Sequence, residues 1–152
     1  MKRLLALLAF AAFSMMLIPA QAQDKAATAA AKAPADHAKH SADCAKVCAD
    51  CQLECDMCFK FCLTQTVDGK KGHAKSAALC ADCAECCKLC ATLCARSSTL
   101  CPSCCAFCAK CCDDCAASCE KMADVPEMKA CAESCKKCAA SCREMAKMTA
   151  QK

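Results

Sequence analysis

Cysteines recur in this chain at alternating intervals of four and three residues. The first run consists of Cys44, Cys48, Cys51, Cys55, Cys58 and Cys62. A mean interval of about 3.5 residues places every member on one face of an α-helix, at the a and d positions of a heptad. Disulfide-rich loops depend on glycine, proline, asparagine and serine, which this run lacks. The run therefore predicts a helix with one face lined by thiols.

Three further runs keep the same rhythm. The second holds Cys80, Cys83, Cys87, Cys90 and Cys94, with Cys86 beside it. The third holds Cys101, Cys104, Cys108, Cys111 and Cys115, with a second row of Cys105, Cys112 and Cys119. The fourth holds Met128, Cys131, Cys135, Cys138, Cys142 and Met145. Glycine or proline stands at or beside each break, so we predict helices at about 41–67, 76–96, 99–122 and 126–148.

Four amphipathic helices with short connections predict an all-α fold, an antiparallel up-down-up-down four-helix bundle. Asp124, with Glu127 three residues later, predicts the N-cap of the fourth helix. The inward positions hold cysteine, and the chain has 24 cysteines in 152 residues. Cysteine fills much less volume than leucine, so a core of free thiols alone would be thin and poorly filled. We expect something to occupy the space between the sulfurs.

The N-terminus predicts export. Lys2 and Arg3 precede an apolar run that ends at Ile18, and Ala20-Gln21-Ala22 supplies a small-residue cleavage site. This pattern is that of a signal peptide over residues 1–22, and its apolar run is shorter than the ~20 residues that span a membrane. Residues 23–40 predict a flexible, Ala- and Lys-rich segment with partial helix, and residues 41–152 form the bundle. We expect a periplasmic protein, with secretion to the medium as the alternative.

Charge and motifs argue against several classes of function. The net charge of +4 falls by two when Lys2 and Arg3 are removed, and no basic stripe with interleaved aromatics indicates nucleic-acid binding. After signal cleavage, no apolar run is long enough for a membrane helix. The CxxC pairs lack the strand-then-helix setting of a thioredoxin site. We therefore predict no enzyme activity, no nucleic-acid partner and no membrane partner.

The thiols themselves favour a metal. A thiolate interior is soft, which suits Cu(I) and, less exclusively, Zn(II). Two thiolates at i and i+4 can share one Cu(I), and the monovalent ion brings the buried charge towards zero. Two sulfurs per ion would give about a dozen ions in each chain. A metallothionein-like zinc or cadmium sink and a metal-free, disulfide-linked structural bundle stay open as alternatives, the latter because export favours oxidation.

Four cysteine-lined helices, repeated CxxxC pairs and a signal peptide together resemble the bacterial copper storage proteins of the exported type. The resemblance covers residues 41 to about 148. It implies a four-helix bundle that holds many Cu(I) ions, an unknown copper donor and acceptor as partners, and assembly into a homo-oligomer, by resemblance a tetramer. It also implies that the cysteines of all four runs, the additional rows included, are the copper ligands.

The two ends of the predicted bundle carry weaker copper ligands. One end holds His37, His40, Met145 and Met148. The other holds His73, Met122 and Met128. Thioether and imidazole ligands at a mouth would suit a relay for copper, although methionine is also a routine filler of gaps between helices. We favour the end with the N-terminal histidines as the place of copper uptake.

Overall fold

The computed structural model describes residues 20–148, and it describes side chains from residue 36 onward. The apolar run of the predicted signal peptide lies outside the described residues. The chain divides into two compact units, Met1–Ala33 and Pro34–Lys152. In the first unit, residues 20–33 are helical. The second unit contains all the cysteines.

Four helices account for most of the described chain, as predicted. They are α1 at Ala20–Val67, α2 at His73–Ala95, α3 at Cys101–Cys119 and α4 at Pro126–Lys147, with a single 3₁₀ turn at Glu120–Met122. Residues 20–148 contain no strand. Within the same residues, no helix combines the length and apolar character needed to cross a membrane.

The first helix begins earlier than the sequence predicts. We expected its start near residue 41, after a flexible segment with partial helix, whereas the described residues are helical from Ala20 onward. Residues 23–40 consist largely of alanine and lysine, which are strong helix formers even where no apolar period marks a buried face. Periodicity therefore located the cysteine-lined part of α1 and missed the part whose helicity rests on intrinsic propensity.

The turns follow glycine and proline. Gly69 and Gly72 have φ angles of 77° and 95°, a left-handed conformation that residues with a Cβ adopt only at a cost, and they separate α1 from α2. The predicted N-cap at Asp124 is wrong. Val125 precedes the first helical residue and makes no side-chain cap, because valine has no polar side-chain atom. Pro126 occupies the first helical position and holds Val125 in extended backbone, so the helix begins after Val125.

Sulfur contacts establish the antiparallel order. Between α1 and α4, the contacts run in opposite directions along the two helices: Cys48–Cys142 at 3.6 Å, Cys51–Cys135 at 3.8 Å and Cys55–Cys131 at 3.9 Å. Between α2 and α3 they do the same: Cys80–Cys115 at 3.6 Å, Cys83–Cys112 at 3.6 Å and Cys90–Cys105 at 3.4 Å. Between α2 and α4 they run in the same direction: Cys80–Cys131, Cys83–Cys135 and Cys90–Cys142, each at 3.9 Å. The topology is therefore up-down-up-down.

The core is made of sulfur and small side chains. All but Cys86, Cys104 and Cys111 of the 24 cysteines are buried, each with at most 1% of its surface exposed. The largest buried side chains are Met128 and Met145. No leucine, isoleucine, valine or phenylalanine is buried in the part of the chain whose side chains are described. Burial of large hydrocarbon side chains, which stabilises most helical bundles, is thus reduced here.

Two buried serine contacts join helices across this core. Ser41 Oγ of α1 donates to the Cys94 carbonyl of α2 over 2.7 Å. The Ser76 and Ser118 hydroxyls, on α2 and α3, lie 2.9 Å apart. Both contacts satisfy polar groups that would otherwise be buried at a cost.

We expect Ser76→Ala to lower the free energy of unfolding of the metal-free protein by about 1–3 kcal/mol, because the buried Ser118 hydroxyl loses its partner. The double variant Ser76→Ala/Ser118→Ala should recover part of this loss, since neither hydroxyl then remains unpaired. Urea unfolding under reducing conditions measures both. Ser103→Ala, at an exposed position of α3, is the control and should change stability by less than about 0.5 kcal/mol. Additive losses in the double variant would show that the two hydroxyls do not interact.

Candidate metal centre

The inward cysteines form groups of four. In each group the four Sγ atoms lie within 4.8 Å of one another. Five such groups are Cys48/Cys108/Cys138/Cys142, Cys51/Cys83/Cys87/Cys112, Cys51/Cys55/Cys83/Cys135, Cys55/Cys115/Cys131/Cys135 and Cys58/Cys80/Cys119/Cys131. Each group draws on three or four helices, so the bundle must be assembled before any of them exists.

The groups overlap. Cys51 and Cys83 occur together in two of them, and Cys55, Cys131 and Cys135 each belong to two. A thiolate that belongs to two groups can bridge two metal ions, because sulfur has more than one lone pair available for coordination. The group Cys48/Cys108/Cys138/Cys142 shares no member with the other four, but Cys87 contacts Cys108 and Cys138 at 3.7 and 3.9 Å. The groups therefore form a continuous column of sulfur along the bundle axis.

The spacing of the sulfurs suits a metal ion. Within the core, the contacts between helices that fix the topology measure 3.4–3.9 Å. A thiolate binds a first-row metal at about 2.3 Å, so sulfurs around one ion lie about 3.8 Å apart in tetrahedral and about 4.0 Å apart in trigonal geometry. Only small side-chain movements separate the sulfur positions from those of a metal site.

The i, i+4 pairs emphasised by the sequence are part of this arrangement. Cys58–Cys62, Cys83–Cys87 and Cys138–Cys142 each have their sulfurs 4.0 Å apart. The contacts between helices are as short or shorter, however. On α1, α2 and α4, sequence periodicity identified which residues face inward. The sets of four also depend on the register between helices, which periodicity within one helix does not contain.

The structure corrects the predicted inward row of α3. Cys104 and Cys111, predicted to lie on the main row, are half-buried. Cys105, Cys112 and Cys119, predicted as a second row, are fully buried. Cys101, Cys108 and Cys115 give intervals of three and four residues with either set, because Cys104 and Cys105 are adjacent, as are Cys111 and Cys112. Cys86 of α2, predicted to lie beside its row, is also half-buried.

Contacts between thiols, together with burial, shift the pKa values of the core cysteines. Burial raises the pKa of Cys101 to about 11 and also raises the pKa of Cys62. Hydrogen bonding with Cys115 is the largest of the effects that lower the pKa of Cys119 to about 5. The contact with Cys115 raises the pKa of Cys80. Some core sulfurs thus lose a proton readily while their neighbours keep theirs, and a bound cation must displace the remaining protons.

The two ends of the bundle differ. Beyond Cys44 and Cys142, whose sulfurs lie 4.0 Å apart, Met145 is buried, Met148 and His37 are half-buried, and His40 is exposed. The register between the helices places these four residues, which were predicted as weaker copper ligands, at the same end of the bundle.

At the opposite end, the thioether of Met128 contacts the core directly. Its Sδ accepts from Cys62 at 3.3 Å and from Cys58 at 3.6 Å. His73 is buried, its ring lies edge-on to Phe61 at 5.7 Å, and its Nδ1 has no hydrogen-bond partner. Met122 is half-buried. Both ends therefore offer weaker copper ligands next to the thiols.

The chain is similar in sequence and fold to several solved structures. The Cu(I)-bound copper storage protein BsCsp3 is 34% identical, with a TM-score of 0.65, over 70% of this chain and 98% of that one. The metal-free copper storage protein 3 of Bacillus subtilis is 32% identical, with a TM-score of 0.61, over 68% and 96%. Protein Nmul_A1745 of Nitrosospira multiformis is 30% identical, with a TM-score of 0.50, over 67% and 96%.

No curated protein matches the chain. The family described as Csp, copper storage protein, matches residues 36–147. These residues begin just before the first cysteine-lined turn of α1 and end with α4, so the match covers all four cysteine runs. The chain belongs to the copper storage protein family.

Proposed function

We propose that this protein stores many Cu(I) ions in the sulfur column of its bundle. The observation that carries the proposal is the row of four-sulfur groups, each within 4.8 Å, four of which share members, while the fifth is joined to them by the contacts of Cys87 with Cys108 and Cys138 at 3.7 and 3.9 Å. Isolated sites would bind separate ions, whereas shared thiolates allow the ion count to grow along the whole column. The similar structure of BsCsp3 in its Cu(I)-bound form supports the same cargo here.

Charge favours Cu(I) over a divalent ion. Four unshared thiolates around Zn(II) would leave a net charge of −2 in a core from which water is excluded, which is costly. Cu(I) accepts two or three sulfurs, and with bridging thiolates the number of ions can approach the number of thiolates. Each incoming ion replaces a thiol proton. The core can then fill without accumulating charge.

The burial of the ligands supports storage over catalysis. The core cysteines expose at most 1% of their surface, so a substrate molecule in solution cannot reach them. An enzyme metal site keeps a coordination position open to its substrate. We propose that the buried cysteines are ligands for retained copper and that the protein has no catalytic role.

We expect the reduced, metal-free protein to bind more than about ten Cu(I) ions per chain in competition with a Cu(I) chelator. Cys51→Ser/Cys135→Ser should lower this capacity by two ions or more, because these thiols belong to overlapping groups. Met57→Leu removes an exposed sulfur of α1 and should leave the capacity unchanged.

Two results would contradict copper storage. Tight Zn(II) uptake without comparable Cu(I) uptake would indicate a zinc or cadmium sink. A folded, metal-free protein with almost no free thiols after export would indicate a disulfide-linked structural bundle.

We infer that copper enters at the end that holds His37, His40, Met145 and Met148, where imidazole and thioether ligands continue the column beyond Cys44 and Cys142. Met145→Leu/Met148→Leu should then slow Cu(I) uptake in stopped-flow measurements and leave the final capacity nearly unchanged. Met128→Leu, which removes the buried thioether at the opposite end, is the matched control. Slower uptake in Met128→Leu alone would place uptake at that end.

We propose that residues 1–22 direct export to the periplasm and that the mature protein assembles as a homo-oligomer. The signal-peptide pattern supports the first point. Exposed apolar side chains such as Leu53 and Phe107, each 60% exposed, together with the family resemblance, support the second. Protein recovered from the periplasm should begin at Gln23 by mass spectrometry and have the mass of a tetramer by light scattering. An uncleaved, cytoplasmic chain or a monomer would contradict the corresponding point.

A further inference from the structure

Two cysteines meet on the outside of the bundle. Cys86 of α2 and Cys111 of α3 are both half-buried, and the Cys86 thiol donates to Cys111 Sγ over 3.3 Å. Their contact lies in the groove between the two helices, alongside the buried contacts Cys83–Cys112 and Cys87–Cys108. The pair is thus held in place by the same register that builds the core, but it is reachable from solvent.

The surroundings of this pair differ from those of a storage cysteine. A core sulfur such as Cys87 contacts sulfurs of Cys108, Cys112 and Cys138 at 3.7–3.9 Å, which is an environment for shared metal ions. Cys86 and Cys111 instead make one close thiol contact with each other. Two thiols that contact each other and are partly open to solvent can meet a soluble disulfide and lie close enough for a bond to form between them.

We propose that Cys86 and Cys111 form a redox-active dithiol outside the copper store, which closes to a disulfide between α2 and α3 while the core thiols stay reduced. The sulfurs need to approach by about 1.3 Å to reach the bond length of about 2.04 Å. The oxidant is a soluble disulfide, for which oxidised glutathione is the probe. This proposal does not depend on copper storage, because the reaction takes place in the metal-free protein.

The reaction is a two-step thiol–disulfide exchange. Cys111, which accepts the hydrogen bond from Cys86, attacks as the thiolate, and its sulfur bonds to one sulfur of oxidised glutathione as the glutathione S–S bond breaks. The first glutathione leaves as a thiolate and takes a proton. Cys86, as a thiolate, then attacks the Cys111 sulfur, forms the Cys86–Cys111 bond and releases the second glutathione. The two protein thiols lose two electrons and two protons, and one glutathione disulfide becomes two glutathione thiols.

Closure would fasten two helices of a weakly filled bundle. The two residues are 25 positions apart, so the bond closes a loop that contains the whole α2–α3 turn. Restricting this loop in the unfolded chain should raise the Tm of the metal-free protein by roughly 10 °C. The bundle could then stay folded when it is empty, without losing a buried thiol to oxidation.

The test exposes the reduced, metal-free protein to oxidised glutathione, stops the reaction with acid and alkylation, and maps disulfides by peptide mass spectrometry. We expect the Cys86–Cys111 disulfide to form first, with the core cysteines alkylated as free thiols, and the Tm to rise. Cys86→Ser should accumulate a glutathione adduct on Cys111. Cys83→Ser/Cys112→Ser removes a buried contact between the same helices and should still form the outer disulfide.

Three outcomes would overturn the proposal. The first is earlier oxidation of a core pair, for which Cys94 and Cys101, with sulfurs 2.7 Å apart, are the strongest competitors. The second is glutathione adducts on Cys86 and Cys111 that never close to a disulfide. The third, seen when the same treatment is applied to protein loaded with Cu(I), is complete protection of the pair, which would make it part of the store. Failure of copper binding itself would leave the first two results unaffected, so the two proposals fail separately.

Discussion

Contact between thiol sulfurs of different helices is the interaction on which this bundle depends. Cysteine occupies the inward positions that leucine and isoleucine fill in other bundles, and it removes less apolar surface from water. The helices nevertheless come close enough to place sulfurs 3.4–3.9 Å apart. The same contacts that close the core also create the metal sites, so stability and cargo are linked. An ion that binds between the helices supplies the attraction that larger side chains would otherwise provide.

Proton and copper compete for the same sulfurs. Burial holds protons on thiols such as Cys101, whereas neighbouring thiols ease ionisation at Cys119. A core with both kinds of sulfur can accept a first cation at an easily ionised position. Each further ion offsets the charge of the next thiolate to form, which lowers the cost of losing another proton. Filling of the column therefore exchanges thiol protons for copper.

The sequence was sufficient to predict the four helices, their antiparallel order and the chemistry of the core, because an interval of three and four residues has only one regular interpretation. It was insufficient where two interpretations satisfied the same rule. Cys104 and Cys105, like Cys111 and Cys112, are adjacent, and either row could face inward. Only the positions of α2 and α4 decide between them. The start of α1 was missed for a different reason, since alanine-rich helix carries no period to read.

The choice between adjacent cysteines on α3, Cys104 or Cys105 and Cys111 or Cys112, has a physical consequence for the whole protein. Turning α3 about its own axis by about half of the 100° between successive residues would bring Cys104 and Cys111 inward in place of Cys105 and Cys112. The contacts of Cys105, Cys112 and Cys119 with α2 fix the rotation that the heptad leaves open. Cys111 is consequently held against Cys86 in the groove, and two chemically identical side chains in adjacent positions, Cys111 and Cys112, face different environments. Cys112 faces the enclosed column, where metal replaces protons. Cys111 faces solvent, where disulfides can exchange.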